Sequence, residues 1–431
     1  MPKRIIPVAS GKGGVGKTTF AVNFALALSR RAPTVLVDLD TATSSVRGSL
    51  ATTVSKDLYH FHRRGEPLAS CITRLDPALD REGRFSQFGF VAGPRHYLED
   101  LANPGPELRR RLIAEINTLP ADYVILDLRA GIDPAVADFL PYTNSGVLVF
   151  TPELPQATSA AADIVKAIVF RSLRAIFATG SRVWTLPGLD AARDLVPELV
   201  ARAEDCYDSS VPNLDAFLSE LGALLDDAAL VESLRSLFAD FRVHYVLNQF
   251  DGVEKGHERA VAPFVRSLAE QVSTHLDLTQ LGWIVQDAEL HRSNCTGRPY
   301  LLAPDAKSPA VESAARPARN VFAELDTLRS AALGLDRRVT QRVAAARVAG
   351  PDPNAEVDAL LGEQLASLRT MFSDRRQDSV RENFNYCVYR ALNLMQPPRL
   401  PTEFGMTQLA PPEQLVKWLL RRMPGGAVQP A

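Results

Sequence analysis

Cysteine is scarce in this chain, and neither sign of charge dominates. Its 431 residues include four cysteines, no two of which are close enough in sequence for a CxxC pair; they are Cys71, Cys206, Cys295 and Cys387. This spacing argues against a disulfide framework and a cysteine zinc site, and it favours a reducing compartment. The formal net charge is −2, so the composition does not indicate DNA binding.

Long apolar runs are also missing. No segment approaches the roughly 18 uninterrupted apolar residues of a membrane-spanning helix, and the first residues lack the apolar core of a signal peptide. Hydrophobic residues nevertheless make up 46% of the chain, which is enough to bury a large core. We therefore expect a soluble, cytoplasmic protein with a main domain and an accessory one.

The clearest motif is a glycine-rich loop near the N-terminus. The segment SGKGGVGKTTF (10–20) follows an apolar run at 4–9 that is typical of a buried strand, and it leads into a helix-like run at 18–28. This is the strand–GxxxxGK[ST]–helix context of a phosphate-binding loop, in which glycines let backbone amides point at an anion. The residues predicted to bind the nucleotide here are Gly11, Lys12, Gly13, Gly14, Val15, Gly16, Lys17, Thr18 and Thr19.

Two of these side chains have roles that the motif itself predicts. Lys17 is expected to reach the β- and γ-phosphates of a nucleoside triphosphate and to stabilise the charge of the transferred group. The hydroxyl of Thr18 is expected to take one Mg²⁺ position. The alternative is a glycine turn that binds nothing, and the complete pattern in its proper context argues against it.

Aspartates follow two further strand-like runs. TVLV (34–37) leads into Asp38 and Asp40, and YVIL (123–126) leads into Asp127. Carboxylates at the carboxyl ends of parallel strands face the crevice in which ligands bind. We predict that Asp38 orients the attacking water and that Asp127 holds Mg²⁺ through water, as in a Walker B element. Asp40 is predicted either to contact magnesium-bound water or to begin a switch loop.

The form KGGVGKTT (12–19) resembles the deviant Walker A loop of the MinD/ParA family of ATPases. In that family the extra lysine, here Lys12, crosses a dimer interface to the phosphates of the partner's nucleotide. Such a cation stabilises charge on the transferred phosphoryl group, as an arginine finger does. The resemblance implies ATP and Mg²⁺ as cofactors, a homodimer that forms with ATP, and a catalytic set of Lys12, Lys17 and Asp38.

Four later segments extend the resemblance over most of residues 3–330. They are DYVILDLRAGID (122–133), SGVLVFTPELPQATSAAADIVK (145–166), HYVLNQFD (244–251) and LGWIVQDAELHRSNCTGRPYLL (281–302). The second of them is similar to the strand, turn and helix of flagellar-number regulators of the FlhG/FleN type. The third implies that Asn248 contacts adenine.

Three places depart from the family pattern. After Asp40 the chain continues with Thr41–Thr43 rather than the usual Pro-Gln or glycine-rich sequence, Arg129 stands where glycine is usual, and Val285 replaces a proline near the adenine. The first two places lie in regions that sense the γ-phosphate. The departures therefore bear on the hydrolysis rate and the response to a partner more than on nucleotide binding.

Strand-like runs alternate with helical stretches along most of the chain. The runs lie at 4–9, 34–38, 87–92, 123–127, 146–151, 243–248 and 280–285. This alternation predicts an α/β fold with a mostly parallel sheet and helices on both faces, as in P-loop NTPases. The long interval before the sixth run predicts a helical insertion at about 170–242, which is either a packing extension of the core or a docking surface for a partner.

The C-terminal part is predicted to be a small helical module. We divide the chain into an ATPase domain at 1–346, a linker at 347–354 and a helical module at 355–431; the first of these ends in a helix at about 308–346. The last helix candidate, 412–423, has an apolar stripe with basic residues opposite. Such a helix makes peripheral contact with the inner face of the cell membrane, as the resemblance to MinD implies, or packs on its own domain or on a partner.

The favoured function is an ATP-dependent dimerising switch. It would hydrolyse ATP slowly, stimulated by a partner, and control the localisation or assembly of an unidentified protein complex in flagellar, polar or partition-type positioning. One alternative is a regulatory scaffold that binds ATP with little or no hydrolysis and acts through the insertion and the C-terminal module. Another is a cofactor amidotransferase or an iron–sulfur carrier, but the sequence shows neither a glutaminase triad nor paired cysteines.

Overall fold

A mostly parallel sheet organises the chain. The computed structural model describes residues 3–41, 45–186, 189, 192–205, 207–225, 228–303, 353–372, 379–394 and 412–423. Within these residues the strands are β1 (Arg4–Ala9), β2 (Thr34–Asp38), β3 (Thr73–Arg74), β4 (Phe88–Val91), β5 (Tyr123–Asp127), β6 (Asn144–Phe150), β7 (Arg242–Phe250) and β8 (Asp277–Val285). They lie in the order β3-β4-β2-β5-β1-β6-β7-β8, and the pair β3 and β4 is antiparallel.

Helices connect and cover the strands. The α-helices of the described residues are α1 (Lys17–Ser29), α2 (Ser45–Ser49), α3 (Leu58–Arg64), α4 (Glu99–Ala102), α5 (Pro106–Thr118), α6 (Pro134–Ala137), α7 (Pro155–Ile176), α8 (Leu195–Glu204), α9 (Leu214–Leu224), α10 (Ala228–Ala239), α11 (Val253–Gly256), α12 (Ala262–Gln271), α13 (Ala288–Thr296), α14 (Pro353–Phe372), α15 (Val380–Leu394) and α16 (Pro412–Arg422). The stretch between β6 and β7 is helical, as the sequence predicts.

The strand order places helices on both faces of the sheet. From β1 the chain passes through α1 to β2 on one side of the sheet, and from β6 it passes through α7 to β7 on the other side. Because parallel crossovers are right-handed, these opposite directions put α1 and α7 on opposite faces. The strands β1, β2 and β5 are almost completely buried between them. The predicted fold class is confirmed.

A proline in the central strand is accommodated by an irregular neighbour. Pro7 has no N–H to donate to the ladder, and the pairing of β6 with β7 shifts register between Asn144 and Val147. Gly146 in this bulge has a φ of +63°, and a Cβ on it would lie 2.6 Å from the carbonyl oxygen of Pro7. The close approach requires glycine here, and β1 keeps its path into the glycine-rich loop.

Helices of the predicted C-terminal module pack directly on the sheet domain. Phe384 of α15 is fully buried, with its ring centroid 6.0 Å from that of Phe20 on α1. The hydroxyl of Tyr245 on β7 donates to Gln364 of α14 at 2.7 Å. The predicted helix at about 308–346 and residues 347–352 of the predicted linker lie outside the described residues, and α14 begins at Pro353.

The amphipathic helix α16 also lies on the body of the protein. The side chains of its apolar stripe are buried, and they are Leu415, Val416, Trp418 and Leu419. Arg422 lies over the Trp418 ring at 3.9 Å and donates to Ser236 of α10 at 3.0 Å. The stripe at 412–423 therefore packs on its own domain, one of the arrangements that the sequence left open, and peripheral contact with a membrane stays a prediction. An apolar stripe serves a protein core as well as a bilayer, and here the chain itself covers it.

Candidate nucleotide-binding site

The glycine-rich loop joins β1 to α1 at the carboxyl edge of the sheet. Gly16 has a φ of +81°, and a Cβ on it would lie 2.1 Å from Nδ2 of Asn248. That same nitrogen donates to the carbonyl oxygen of Val15 at 2.7 Å, so the end of β7 holds the loop in place. Gly13 and Gly14 are exposed, with open space where a Cβ would point. The loop thus leaves its outer backbone accessible to an anion at the N-terminus of α1.

Lys17 and Asp127, both buried, form a cluster with the half-buried Thr18 at the base of this loop. Lys17 Nζ lies 2.5 Å from one carboxylate oxygen of Asp127, and Thr18 Oγ1 donates to the other at 2.7 Å. Lys17 is 6% exposed and Asp127 is fully buried. A buried ion pair requires both partners, because removal of one leaves an uncompensated charge. Phosphate oxygens can take the place of the carboxylate beside Lys17 without leaving that ammonium unpaired.

The same cluster supplies oxygen ligands suited to Mg²⁺. The Thr18 hydroxyl and the Asp127 carboxylate lie side by side, and Ser45 Oγ lies 2.9 Å from Thr18 Oγ1. Among the described residues no group of three His, Cys, Asp or Glu side chains could hold a metal by itself. Mg²⁺ in nucleotide sites takes few protein ligands together with phosphate oxygens and water. The residues therefore fit a magnesium–nucleotide complex rather than an independent metal centre.

Asp38 and Asp127 end neighbouring strands in register. They are paired residues of β2 and β5, and both are fully buried. The Asp38 carboxylate accepts hydrogen bonds from the backbone N–H of Asp40 at 3.2 Å and of Gly93 at 3.4 Å. These amides fix the orientation of the carboxylate. Asp40 is half-buried, immediately outside the strand.

The remaining predicted site residues occupy the rim of the loop. Lys12 is exposed, and Ser10 Oγ donates to its carbonyl oxygen at 3.1 Å. Thr19 is half-buried, and its carbonyl oxygen accepts a hydrogen bond from Asn23 at 2.9 Å. Asn248 is 5% exposed against the loop. Its contact with adenine and the reach of Lys12 into a partner subunit stay predictions.

The sequence alone does not identify Ser45 or Gly93 as neighbours of the site. Ser45 begins α2, and Gly93 follows β4, so each reaches the cluster from a different crossover of the sheet. Only the tertiary arrangement brings them to Thr18 and Asp38. A serine or a glycine in a polar segment carries no local signal that could have distinguished it from its neighbours.

The departure at Val285 has a structural reason. Its backbone N–H donates to Asn383 Oδ1 of α15 at 3.1 Å, a bond that proline could not make. Two further contacts fix α15 on β8. A Cβ on Gly282 would lie 2.7 Å from Cys387 Sγ, and Arg390 Nε donates to the carbonyl oxygen of Gln280 at 2.9 Å. The residue at 285 therefore serves the docking of the C-terminal helix.

The sequence matches a known domain family over most of its length. Residues 6–300 match the family described as the CobQ/CobB/MinD/ParA nucleotide binding domain. The chain belongs to this family. The match spans the glycine-rich loop, both strand-end aspartates and the strand that carries Asn248, so the cluster around Lys17 lies within a nucleotide-binding domain of this family.

Relatives of the MinD/ParA type are similar over shorter stretches. The chloroplastic septum site-determining protein minD homolog of Arabidopsis thaliana is 32% identical over 159 residues, 35% of this chain and 46% of that protein. The MinD protein of Synechocystis is 30% identical over 152 residues, 35% of this chain and 54% of that protein. The chain spans about half the length of the curated relatives it matches. The structure of Pyrococcus horikoshii MinD complexed with Mg-ADP covers 69% of this chain and 87% of its own, at 16% identity and a TM-score of 0.39.

Proposed function

We propose that this protein is an ATP-dependent switch. It binds ATP and Mg²⁺, closes into a homodimer, and hydrolyses ATP slowly, under the influence of a partner. The change of nucleotide controls where a partner complex assembles or resides in the cytoplasm. The observation that supports this most is the cluster of Lys17, Thr18 and Asp127 beneath an accessible glycine loop, with Asp38 at the end of the adjacent strand.

The residues of the cluster suggest how the reaction is assembled. Lys17 exchanges its contact with Asp127 for phosphate oxygens and stabilises the charge of the transferred group. Thr18, and Asp127 through water, would hold Mg²⁺, which would neutralise phosphate charge. Asp38, fixed by two backbone amides, accepts a hydrogen bond from the attacking water and orients it. Most of the rate enhancement in such reactions comes from positioning and electrostatics, which a rigid strand end provides.

Lys12 is the residue that links hydrolysis to dimerisation in this proposal. It is exposed on the loop, so its ammonium is available to a second protomer rather than committed to its own site. A lysine contributed across the interface makes the nucleotide part of the contact. The dimer then lasts as long as the triphosphate does, and oligomeric state reports nucleotide state.

The test compares single-turnover phosphate release by the wild type, Lys12→Ala, Asp38→Ala and Lys417→Ala. Lys417 is an exposed lysine of α16 and serves as the matched control. We expect Lys12→Ala and Asp38→Ala to lower the rate at least about 100-fold, consistent with loss of a transition-state cation or of the water-orienting carboxylate. Asp38→Ala should still bind ATP and should elute as a dimer with ATP but not with ADP. Equal rates for all four proteins would contradict the proposal.

A scaffold with little hydrolysis is the second candidate. Arg129 pairs with Asp133 and bonds to a backbone carbonyl in a region that senses the γ-phosphate, so this segment is more tightly held than a glycine would allow. In that case ATP would bind tightly and dimerise the protein without measurable phosphate release, and the helices between β6 and β7 would act as the effector surface. A positioning role, of the flagellar, polar or partition type, is part of the proposal for either candidate.

A further inference from the structure

The short helix α4 contacts the loops that follow both strand-end aspartates. Thr41, three residues after Asp38, donates its buried hydroxyl to the carbonyl oxygen of Leu101 at 2.5 Å. Arg129, two residues after Asp127, donates through a terminal guanidinium nitrogen to the carbonyl oxygen of Ala102 at 3.0 Å. The two acceptors are consecutive carbonyls at the C-terminal end of α4. The loops are thus joined through two adjacent peptide groups of the same helix.

These bonds satisfy groups that a helix end leaves without partners. A helix of four residues has no following turn to use its last carbonyls, so they must find other donors. Thr41 is 9% exposed. If its loop moved while α4 stayed in place, the Thr41 hydroxyl and the buried carbonyl of Leu101 would both lose their hydrogen-bond partner. Arg129 is similarly constrained, because its guanidinium also pairs with Asp133, which caps α6 by accepting from Val136 N–H at 2.9 Å.

A small cleft lies between the two loops and α4. Its volume is about 30 Å³, and its walls include Leu39, Thr41, Leu101, Leu128, Arg129 and Phe139. Leu101 and Ala102 are almost fully buried, so α4 packs closely on both loops and a displacement of either loop has to be accommodated by the helix. On its other side α4 is held to α3 by Asp100, which contacts His62 and Arg63, and such partly exposed ion pairs contribute little.

We propose that α4 couples the two loops, with Thr41 and Arg129 as positioning residues that transmit a displacement of one loop to the other. The inference rests on the proposed function, because the displacement arises when nucleotide contacts Asp38 or Asp127. It also explains two departures from the family pattern together, since both residues bond to the same helix. Movement of the loop after Asp127 therefore adjusts the loop after Asp38, and the water-orienting carboxylate responds to the state of the metal-binding one.

The first experiment measures hydrogen exchange of the amides of residues 101–103, which bond within α4 to Leu98 and Glu99. Asp38→Ala protein, which retains ATP, is compared with Mg-ATP bound and with Mg-ADP bound, and the Thr41 and Arg129 variants are made in the same background. We expect exchange at these amides to differ about 5-fold or more between the two nucleotides, in the range of typical coupling between sites. The difference should disappear in Thr41→Val and in Arg129→Met.

Conservative and matched variants separate coupling from simple structural damage. Thr41→Ser and Arg129→Lys keep a donor at each position and should restore most of the difference. Arg109→Met is the control for loss of an arginine near α4, because Arg109 donates to the carbonyl oxygen of Pro104 just beyond the helix and pairs with Asp138 after α6, rather than with the residues that directly follow Asp38 or Asp127. It should leave the ATP–ADP difference unchanged.

A double-mutant cycle on kcat, measured without the Asp38 substitution, provides the second readout. If α4 connects the loops, Thr41→Val and Arg129→Met should each lower kcat with little change in KM, and the double variant should be no slower than the slower single variant. Fully additive effects, or identical exchange with ATP and ADP in a protein that binds both, would overturn the coupling while leaving the ATPase proposal intact. Absence of nucleotide binding would overturn both.

Discussion

The pairing of Lys17 with Asp127 makes the nucleotide-free protein sensitive to loss of the carboxylate. In Asp127→Ala the ammonium of Lys17, which is 6% exposed, loses its partner at 2.5 Å. Removing one member of a buried ion pair costs about 3–5 kcal/mol of unfolding free energy. For a chain of 431 residues, an unfolding entropy of about 2 cal/mol/K per residue converts this cost into a fall of about 3–6 °C in Tm.

Nucleotide should reverse much of this loss. Phosphate oxygens supply the counter-charge that Asp127→Ala removes, whereas in the wild type they must displace a carboxylate that already satisfies Lys17. With ADP in the presence of EDTA, the rise in Tm should therefore be larger in Asp127→Ala than in the wild type. Added Mg²⁺ should raise Tm further only in the wild type, because Asp127 is expected to hold the metal.

Differential scanning fluorimetry of the wild type, Asp127→Ala, Lys17→Met and the double variant tests these expectations. The double variant Lys17→Met, Asp127→Ala removes both charges and should unfold closer to the wild type than either single variant does, although it should not respond to ADP. A role for the Lys17–Asp127 pair is refuted if Asp127→Ala unfolds at the wild-type temperature, or if ADP stabilises it less than it stabilises the wild type. It is also refuted if the two single losses simply add in the double variant.

Two further predictions concern the sheet beneath the site. Burial, and then the charge of Arg242, lower the pKa of His244 to about 3 from 6.5. Only the unfolded chain binds the proton between these pH values, so the free energy of unfolding is at its full value above about pH 6.5 and falls by about 1.4 kcal/mol per pH unit below it. In urea unfolding between pH 6.5 and 5, His244→Phe should make the free energy of unfolding depend less steeply on pH. The same dependence in both proteins would contradict a buried, neutral His244. Val285→Pro removes the N–H that donates to Asn383, so we expect its free energy of unfolding in urea to fall by about 1–3 kcal/mol. Val285→Ile keeps the donor and serves as the control. Equal stability of the two variants would show that this bond does not hold α15.

Local features made the centre of the site predictable from sequence. Glycines at fixed spacing before Lys17 are required by loop conformation, and a strand that ends in aspartate shows itself through its apolar run. The parallel order of the strands then brings Asp38 and Asp127 together, because neighbouring strands end at the same edge. The short strand β3 lay beyond such reasoning, since its two residues owe their conformation to pairing with β4 rather than to any pattern of their own.

Tertiary contacts account for what the sequence could not show. The apolar stripe of α16 has the same spacing whether it faces lipid or protein, and the sequence could not show that it packs on the domain in this structure. Likewise, Thr41 and Arg129 taken singly in the sequence indicate an altered γ-phosphate sensor. Their common contact with α4 could not be foreseen, because the carbonyls that they bond lie 60 and 27 positions away in sequence.

Val285 shows why a departure from a family pattern need not mean a lost function. At a position where the family resemblance implies a proline, this chain has a backbone N–H, which donates to Asn383 Oδ1. This bond is possible because α15 lies across β8. The same helix packs Phe384 against Phe20 of α1, the helix that begins at Lys17. A substitution at the far edge of the sheet is thereby connected through packing to the phosphate-binding helix. The C-terminal helices therefore belong to the nucleotide-binding unit physically, and a truncation that removes α15 should expose the apolar side of α1 as well as the edge strand.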